Sequence, residues 1–391
     1  MKLYKIIPAA IILLLAALTS LAFLKPNNSG TIYKPRAIQN STSTPKIQVG
    51  ILLDVSGSMD GLIEQAKAQL WNMVSVMGKA TCNNVMPQIE IALYEYGRTT
   101  NDPKKGFVKQ IDGFTSDLDL LSKNLFSLKT DGGDEYCGQV IQTSLSELKW
   151  DTSSLNYKVI FIAGNEDFLQ GNIIYTKACE EAKKKGVIVN TIYCGDRQQG
   201  IREHWNLAGE CGNGSYTNIN QNEKEEDIPT PYDSTLFVLN EQLNGTYVYY
   251  GAAGASKFAD QESMDKSNYS LSTEVAAKRV AVKGKSNLYK NTTWDLVDAH
   301  LSDSLILDKV DMKTLPAEYQ NKSRTALKSA VKEKSSKRIK LQNDISEVNS
   351  KREKYVAVER ARSVKGTTAT LETEVERIIK VQAKRYNMLI N

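Results

Sequence analysis

The chain has 391 residues, 50 Lys and Arg against 45 Asp and Glu, and an ordinary 41% of hydrophobic residues. That length exceeds one typical domain, and the apolar fraction excludes a disordered or fibrous chain, so two or three units with at least one substantial core are expected. The net charge of +5 is unevenly spread: from residue 313 onward nineteen basic residues face nine acidic ones, which leaves a basic tail on an acidic body.

Met1-Lys2-Leu3-Tyr4-Lys5, followed by an uncharged apolar run over residues 6–24, has the form of a basic n-region and an h-region. Residues 1–24 therefore read as a signal peptide cut after Ala22, or as an N-terminal membrane anchor if left uncut, because the run is just long enough to span a bilayer. Either way the protein is expected to be exported, to the periplasm or cell envelope. No cysteine stands beside the run, which argues against a lipoprotein. Residues 25–45 are rich in Asn, Ser, Thr and Pro and read as a linker.

Residues 47–53 form a short continuous apolar run, the pattern of a strand buried on both faces. Leu62, Ala66, Leu70, Met73 and Met77 follow at helical spacing. Residues 88–96 and 107–111 predict an antiparallel edge pair around Asn101-Asp102-Pro103, and Leu118, Leu121, Leu125 and Leu128 a short helix. Helix at 140–150, strand at 157–162, helix at 173–185, strand at 187–193, a short helix at Trp205 and a strand at 214–219 complete the alternation. Such alternation implies an α/β fold with a Rossmann-like, doubly wound, mostly parallel sheet over residues 46–222.

An acidic stretch at 223–227 and Pro229-Thr230-Pro231 mark a boundary, after which residues 223–312 read as mostly helical. Residues 313–391 are basic and helical. Leu327, Val331, Leu341, Ile345, Val348 and Tyr355 make a seam if Lys334, Arg338 and Arg352 are accepted within it, and the pattern resumes after Gly366. A helical hairpin within one chain is favoured over a dimeric coiled coil. The basic tail is either a solvated face or a contact for a membrane or another anionic envelope surface, and export makes nucleic acid an unexpected partner.

Asp54-Val55-Ser56-Gly57-Ser58 ends the first strand and sets three oxygen side chains around one turn, at the sheet edge where open α/β folds bind ligands. The motif resembles the metal-ion-dependent adhesion site of the von Willebrand factor type A domain. A bacterial branch of that family with Gly-Gly-x-Glu-Tyr-Cys-Gly and Ile-Ala-Gly-Asn-Glu loops is similar to Gly132-Gly133-Asp134-Glu135-Tyr136-Cys137-Gly138 and Ile162-Ala163-Gly164-Asn165-Glu166. The resemblance implies a divalent cation, Mg²⁺ foremost and otherwise Mn²⁺ or Ca²⁺, since hard oxygen donors suit these ions. Asp54, Ser56 and Ser58 would hold it, with Glu135 and Glu166 acting directly or through water, and Asp134 and Asn165 as further candidates. Where the family usually has threonine and Thr-Asp-Gly, this chain has Glu135 and Ala163-Gly164-Asn165. If both glutamates reach the ion, the site carries three carboxylates.

The five cysteines, Cys82, Cys137, Cys179, Cys194 and Cys211, permit bridges in an exported protein. Their connectivity is left open, although Cys194 and Cys211 flank a short loop. His204 and His300 lack a zinc-site spacing, Gly209 to Gly214 fails the dinucleotide-loop spacing, and no P-loop occurs. The expected function is a non-enzymatic protein-binding module in which a partner's carboxylate completes the cation's shell. The alternatives are a structural scaffold with a degenerate metal site, acting through its helical C-terminal region, and, remotely, a metal-dependent hydrolase.

Overall fold

The computed structural model describes residues 44–220, 222, 227–362 and 371–390. The expected signal or anchor segment and most of the linker lie outside these residues. From Thr44 onward the chain forms one compact unit.

A six-stranded sheet organises it. The strands are β1 (Lys46–Asp54), β3 (Gln88–Tyr96), β4 (Lys109–Thr115), β5 (Tyr157–Gly164), β6 (Ile188–Cys194) and β7 (Asn213–Ile219), in spatial order β4-β3-β1-β5-β6-β7. All neighbours are parallel except β4, which runs antiparallel to β3 at one edge, as the sequence pattern predicts. Alternating residues of β1 feed two cores. Ile47, Val49, Ile51 and Leu53 face one layer, and Leu52 faces the other.

The Leu52 layer is covered by α3 (Cys137–Glu147), α4 (Tyr175–Lys185) and α6 (Trp205–Cys211), with a short α5 (Arg197–Arg202) between β6 and α6. The opposite layer holds α1 (Asp60–Met77) and α2 (Leu118–Ser127). Asp117 starts α2 by accepting the Leu120 NH at 3.0 Å, which satisfies one of the donors a helix start leaves free.

The helices after β7 are α7 (Asp233–Asn244), α8 (Gly254–Leu271), α9 (Thr273–Lys283), α10 (Leu296–Ser302), the single turns α11 (Ile306–Lys309) and α12 (Ala317–Gln320), the long α13 (Arg324–Arg362) and α14 (Leu371–Ala383). They share the core of the sheet. Leu236 of α7, Val280 of α9, Ile345 of α13 and Val375 of α14 belong to one apolar cluster with Ile51 and Trp71. Among the described residues no helix is long and apolar enough to cross a membrane.

The two C-terminal helices spend their apolar faces on different neighbours. α13 lies along α7 and α9, whereas α14 returns to the sheet, packs on α1 and, with Ile51, Phe161 and Ile192, lines a cavity of about 30 Å³. Residues 371–390, expected to group with the helical tail, thus complete the α1 side of the α/β layer. Fully buried Gln382 fixes this return. Its amide exchanges hydrogen bonds with fully buried Asn190 on β6 at 2.7 and 3.2 Å, and accepts the Tyr157 hydroxyl at 2.9 Å. β8 (Met388–Ile390) then pairs antiparallel with β2 (Ala80–Cys82), so the last described residues clamp the exit of α1.

The charged seam positions have a physical reason. Buried Arg338 donates to Asp295 at 2.6 Å and Asp298 at 2.7 Å, and its guanidinium lies over the Tyr247 ring. Arg352 donates to Asp233 at 2.8 Å. These arginines dock α13 onto its own chain. A third junction centres on Arg279, which donates to Asp119 at 2.7 Å and Asp265 at 2.6 Å and stacks over Trp71, joining α1, α2, α8 and α9.

Arg338→Ala removes the cation from two buried carboxylates, so unfolding by denaturant is expected to show a loss of about 3–5 kcal/mol. A loss below about 1 kcal/mol, the value of an exposed pair, contradicts this assignment.

Candidate functional site

The carboxyl edge of the sheet brings three loops together around Asp54. Asp54 is fully buried at the end of β1, and its Oδ1 accepts the Ser56 NH at 2.8 Å, which bends the chain sharply away from the strand. Val55 donates its NH to Tyr96 O at 2.9 Å, and Met59 donates to Ser56 O at 3.1 Å before α1 begins. The first loop is thus fastened to the end of β3 and to its own helix.

The second loop is tied to the first by Asp131 NH, which donates to Val55 O at 2.9 Å. The Thr99 hydroxyl donates to Asp131 at 2.6 Å, and Thr130 donates to Asp60. Close packing here requires glycine: a Cβ on Gly133 would lie 2.5 Å from Gly97 O. Gly97 itself has φ +86°, and a Cβ there would meet Glu135 Cγ at 2.9 Å and Asp54 Oδ1 at 3.0 Å. The bare face of Gly97 therefore seats Glu135 beside Asp54.

The third loop approaches from β5. A Cβ on Gly164 would lie 2.9 Å from Asp54 Oδ2 and 2.5 Å from the Tyr96 hydroxyl, so the Asp54 carboxylate occupies the space a side chain would fill. The Tyr96 hydroxyl donates to Ala163 O at 3.0 Å. Asn165 donates through Nδ2 to Ser58 Oγ at 3.3 Å, bridging the third loop to the first. Behind it, Trp205 donates to Glu166 O at 2.8 Å, and His204 Nδ1 pairs with Asp167 at 3.0 Å.

Three oxygens in this cluster are buried without a hydrogen-bond partner: Asp54 Oδ2, Ser56 Oγ and Asn165 Oδ1. Buried polar atoms are nearly always paired, so three such oxygens on neighbouring loops are an open acceptor set. Burial raises the Asp54 carboxyl to about 6, helped by the charge of Glu166. Hydrogen bonding from the Ser56 backbone and the nearby Ser56 hydroxyl, which falls short of good bond geometry, pulls the other way, as does the Asn165 backbone. Burial together with Asp54 and Glu166 raises Glu135 to about 7. Crowded acids short of cations are an environment a positive ion would relieve.

The expected ligands are distributed unevenly. Asp54, Ser56 and Ser58 stand on the first loop, and Asn165 reaches Ser58 through its amide nitrogen. Glu135 is buried beside Asp54. Glu166 turns its Oε2 to Gln170 Nε2 at 3.1 Å, and exposed Asp134 accepts from Tyr136 at 3.0 Å. Among the described residues no three Asp, Glu, His or Cys side chains gather in a metal-holding group; the edge offers the Asp54 carboxylate with hydroxyl and amide oxygens, and Glu135 beside them. That set still fits a hard divalent ion. A cleft of about 780 Å³ lined by Thr100, Asn101, Lys109 and Glu147 contains none of these oxygens.

Tyr96, Gly97 and Trp205 position the site and carry no motif of their own. The signal in Gly97 is its place at the end of an alternating strand, where a glycine often marks close backbone approach.

No protein-family model and no curated protein matches this chain. Solved structures similar to part of it include an aerotolerance-related membrane protein from Bacteroides fragilis NCTC 9343 with multiple mutations to serines. It is 17% identical, over 45% of this chain and 93% of that one, with a TM-score of 0.33. The pilus adhesin SpaC from Lactobacillus rhamnosus GG, in its open conformation, is 15% identical over 46% of this chain and 28% of its own length, with a TM-score of 0.34. The SpRpn10 VWA domain is 16% identical over 44% and 88%, with a TM-score of 0.32. Its strand order, its antiparallel edge strand and the Asp54-x-Ser56-x-Ser58 loop at the end of β1 give the α/β part of this chain a fold like that of the von Willebrand factor type A domain.

Proposed function

We propose that this chain is an exported, non-enzymatic binding module that holds a divalent cation, Mg²⁺ foremost, at the Asp54 loop and presents it to a carboxylate of a protein partner. One observation carries the reading: Asp54 Oδ2, Ser56 Oγ and Asn165 Oδ1 are buried, unpartnered and set on adjoining loops. Asp54 supplies the negative charge, Ser56 and Ser58 supply hydroxyl oxygens, and Asn165 supplies an amide oxygen. Glu135 adds charge from beside the group. Because the protein brings one well-placed carboxylate and mostly neutral oxygens, the bound ion keeps enough positive charge to attract an acidic group from outside. The basic N-terminal residues and the apolar run at 6–24 support export, and the reading of the chain as a scaffold differs in requiring no ion at all.

Titration calorimetry with Mg²⁺ and Mn²⁺ tests the ion directly. Wild type is expected to give a saturable isotherm that weakens by more than about tenfold in Asp54→Ala. Equal responses in the two proteins refute the reading. Gly164→Ala asks the same question without deleting a ligand, because the new methyl occupies the space of the Asp54 carboxylate. It is expected to weaken the ion while leaving the far-ultraviolet circular dichroism of wild type.

The raised carboxyls also set a pH dependence. Below the ordinary carboxylate range both folded and unfolded chains hold these protons, so Asp54 and Glu135 contribute no difference. As pH rises toward about 7 the unfolded chain releases them first, and the ion-free fold loses stability across that window. An ion that binds the ionised groups reverses the trend. The increase in melting temperature produced by excess Mg²⁺ is therefore expected to grow from pH 5 to about 7 and then level off. A pH-independent increase contradicts binding at these carboxyls.

A further inference from the structure

The cysteines occupy different elements. Cys137 starts α3 beside the Tyr96 hydroxyl at 3.8 Å, Cys82 lies on β2 opposite Met388, and Cys194 ends β6 facing the layer of α1 and α14. The short loop that flanks Cys194 and Cys211 does not bring them together, because α6 packs on the other face of the sheet through Trp205 and Ala208. Cys211 instead lies on the helix that Cys179 touches, and both are free thiols in this structure.

Cys179 is buried in α4, and its Sγ lies 3.7 Å from Ala208 O on α6. Cys211 is the last residue of α6, three positions beyond Ala208 and half-buried. Helical side chains lean toward the helix N-terminus, so the Cys211 thiol overlies the turn on which the Cys179 sulfur rests. Burial, then the neighbouring Cys211 thiol, raises Cys179 above the ordinary thiol range. Burial, and after it the two sulfurs, raises the Tyr175 hydroxyl.

We propose that Cys179 and Cys211 form a disulfide that fastens α4 to α6. The co-reactant is a disulfide-bearing oxidant, a protein or glutathione disulfide of an oxidising compartment. Half-buried Cys211 loses its proton and attacks one oxidant sulfur, forming a mixed disulfide and releasing the other oxidant sulfur as a thiolate. Cys179 then loses its proton and attacks the Cys211 sulfur, and the bond to the oxidant breaks. Two protons and two electrons leave the cysteine pair, and the oxidant becomes two thiols. The bond lies behind the third loop. α4 begins at Tyr175 where that loop ends, and α6 begins at Trp205, whose indole holds the Glu166 carbonyl. Oxidation therefore ties together the two helices that frame the loop, whether or not a cation binds in front of it.

The test uses the full chain, reduced and then equilibrated with oxidised glutathione in excess over reduced. It is alkylated under denaturing conditions without reduction, and its peptides are mapped by mass spectrometry. The expected result is a Cys179–Cys211 linked peptide, with Cys82, Cys137 and Cys194 alkylated. Alkylation of both Cys179 and Cys211, or a bond from either to another cysteine, overturns the proposal. The melting temperature of the oxidised wild type is expected to exceed that of the reduced protein, and Cys179→Ser and Cys211→Ser are each expected to abolish that difference. Persistence of the difference in either variant likewise overturns it.

Discussion

The arrangement of the sheet's carboxyl edge depends on one buried carboxylate held between two glycines. Asp54 packs so closely on the bare faces of Gly97 and Gly164 that a Cβ at either would crowd it, with one oxygen satisfied by the Ser56 NH and the other unpartnered. A buried charge without a full set of partners is costly, and here part of that cost appears as a carboxyl raised toward neutrality. Every neighbouring constraint keeps the group from relaxing. Tyr96 fills the space behind Gly164, Asp131 ties the second loop to Val55, and Asn165 closes the third loop onto Ser58.

The same economy of buried charge organises the helices beyond β7. Arg279, Arg338 and Arg352 are each buried; the first two each meet two aspartates of other elements, and Arg352 meets Asp233. Such groups add little net stability compared with apolar packing, yet a wrong arrangement would strand them, so they specify one docking geometry. On α13 the arginines stand within the buried stripe of Leu327, Val331, Leu341 and Ile345, and add a register that apolar contacts alone would not fix.

Legibility followed the physical signal. β1 was readable because its burial on both faces makes a continuous apolar run, and the Asp54 loop because oxygen-bearing residues cluster where that run stops. α8 was not, because the residues it buries include Gln261 and Asn268, so its inward face carries no hydrophobic period. The return of α14 to the sheet rests on Gln382, Asn190 and Tyr157, a contact between residues far apart in sequence whose types announce nothing singly. At the site, the third loop offered both Asn165 and Glu166 as candidates, and the fold sets Asn165 next to Ser58 while Glu166 meets Gln170. A glycine's part in seating a carboxylate is visible only once three loops are in place.

The helices also bear on how rigid the site is. α6 holds the third loop through Trp205 and His204, α1 begins at Asp60, which receives Thr130 of the second loop, and α14 packs against α1. A force on the C-terminal region therefore reaches the Asp54 loop through one helix, α1, whose far end is clamped by the pairing of β2 with β8. With the loops so held, an ion bound as proposed would find little backbone left to rearrange, and its binding energy would go to satisfying oxygens already in position. On the proposed reading, the preorganised group that makes the ion-free edge unfavourable is the same feature that would favour a small, hard cation.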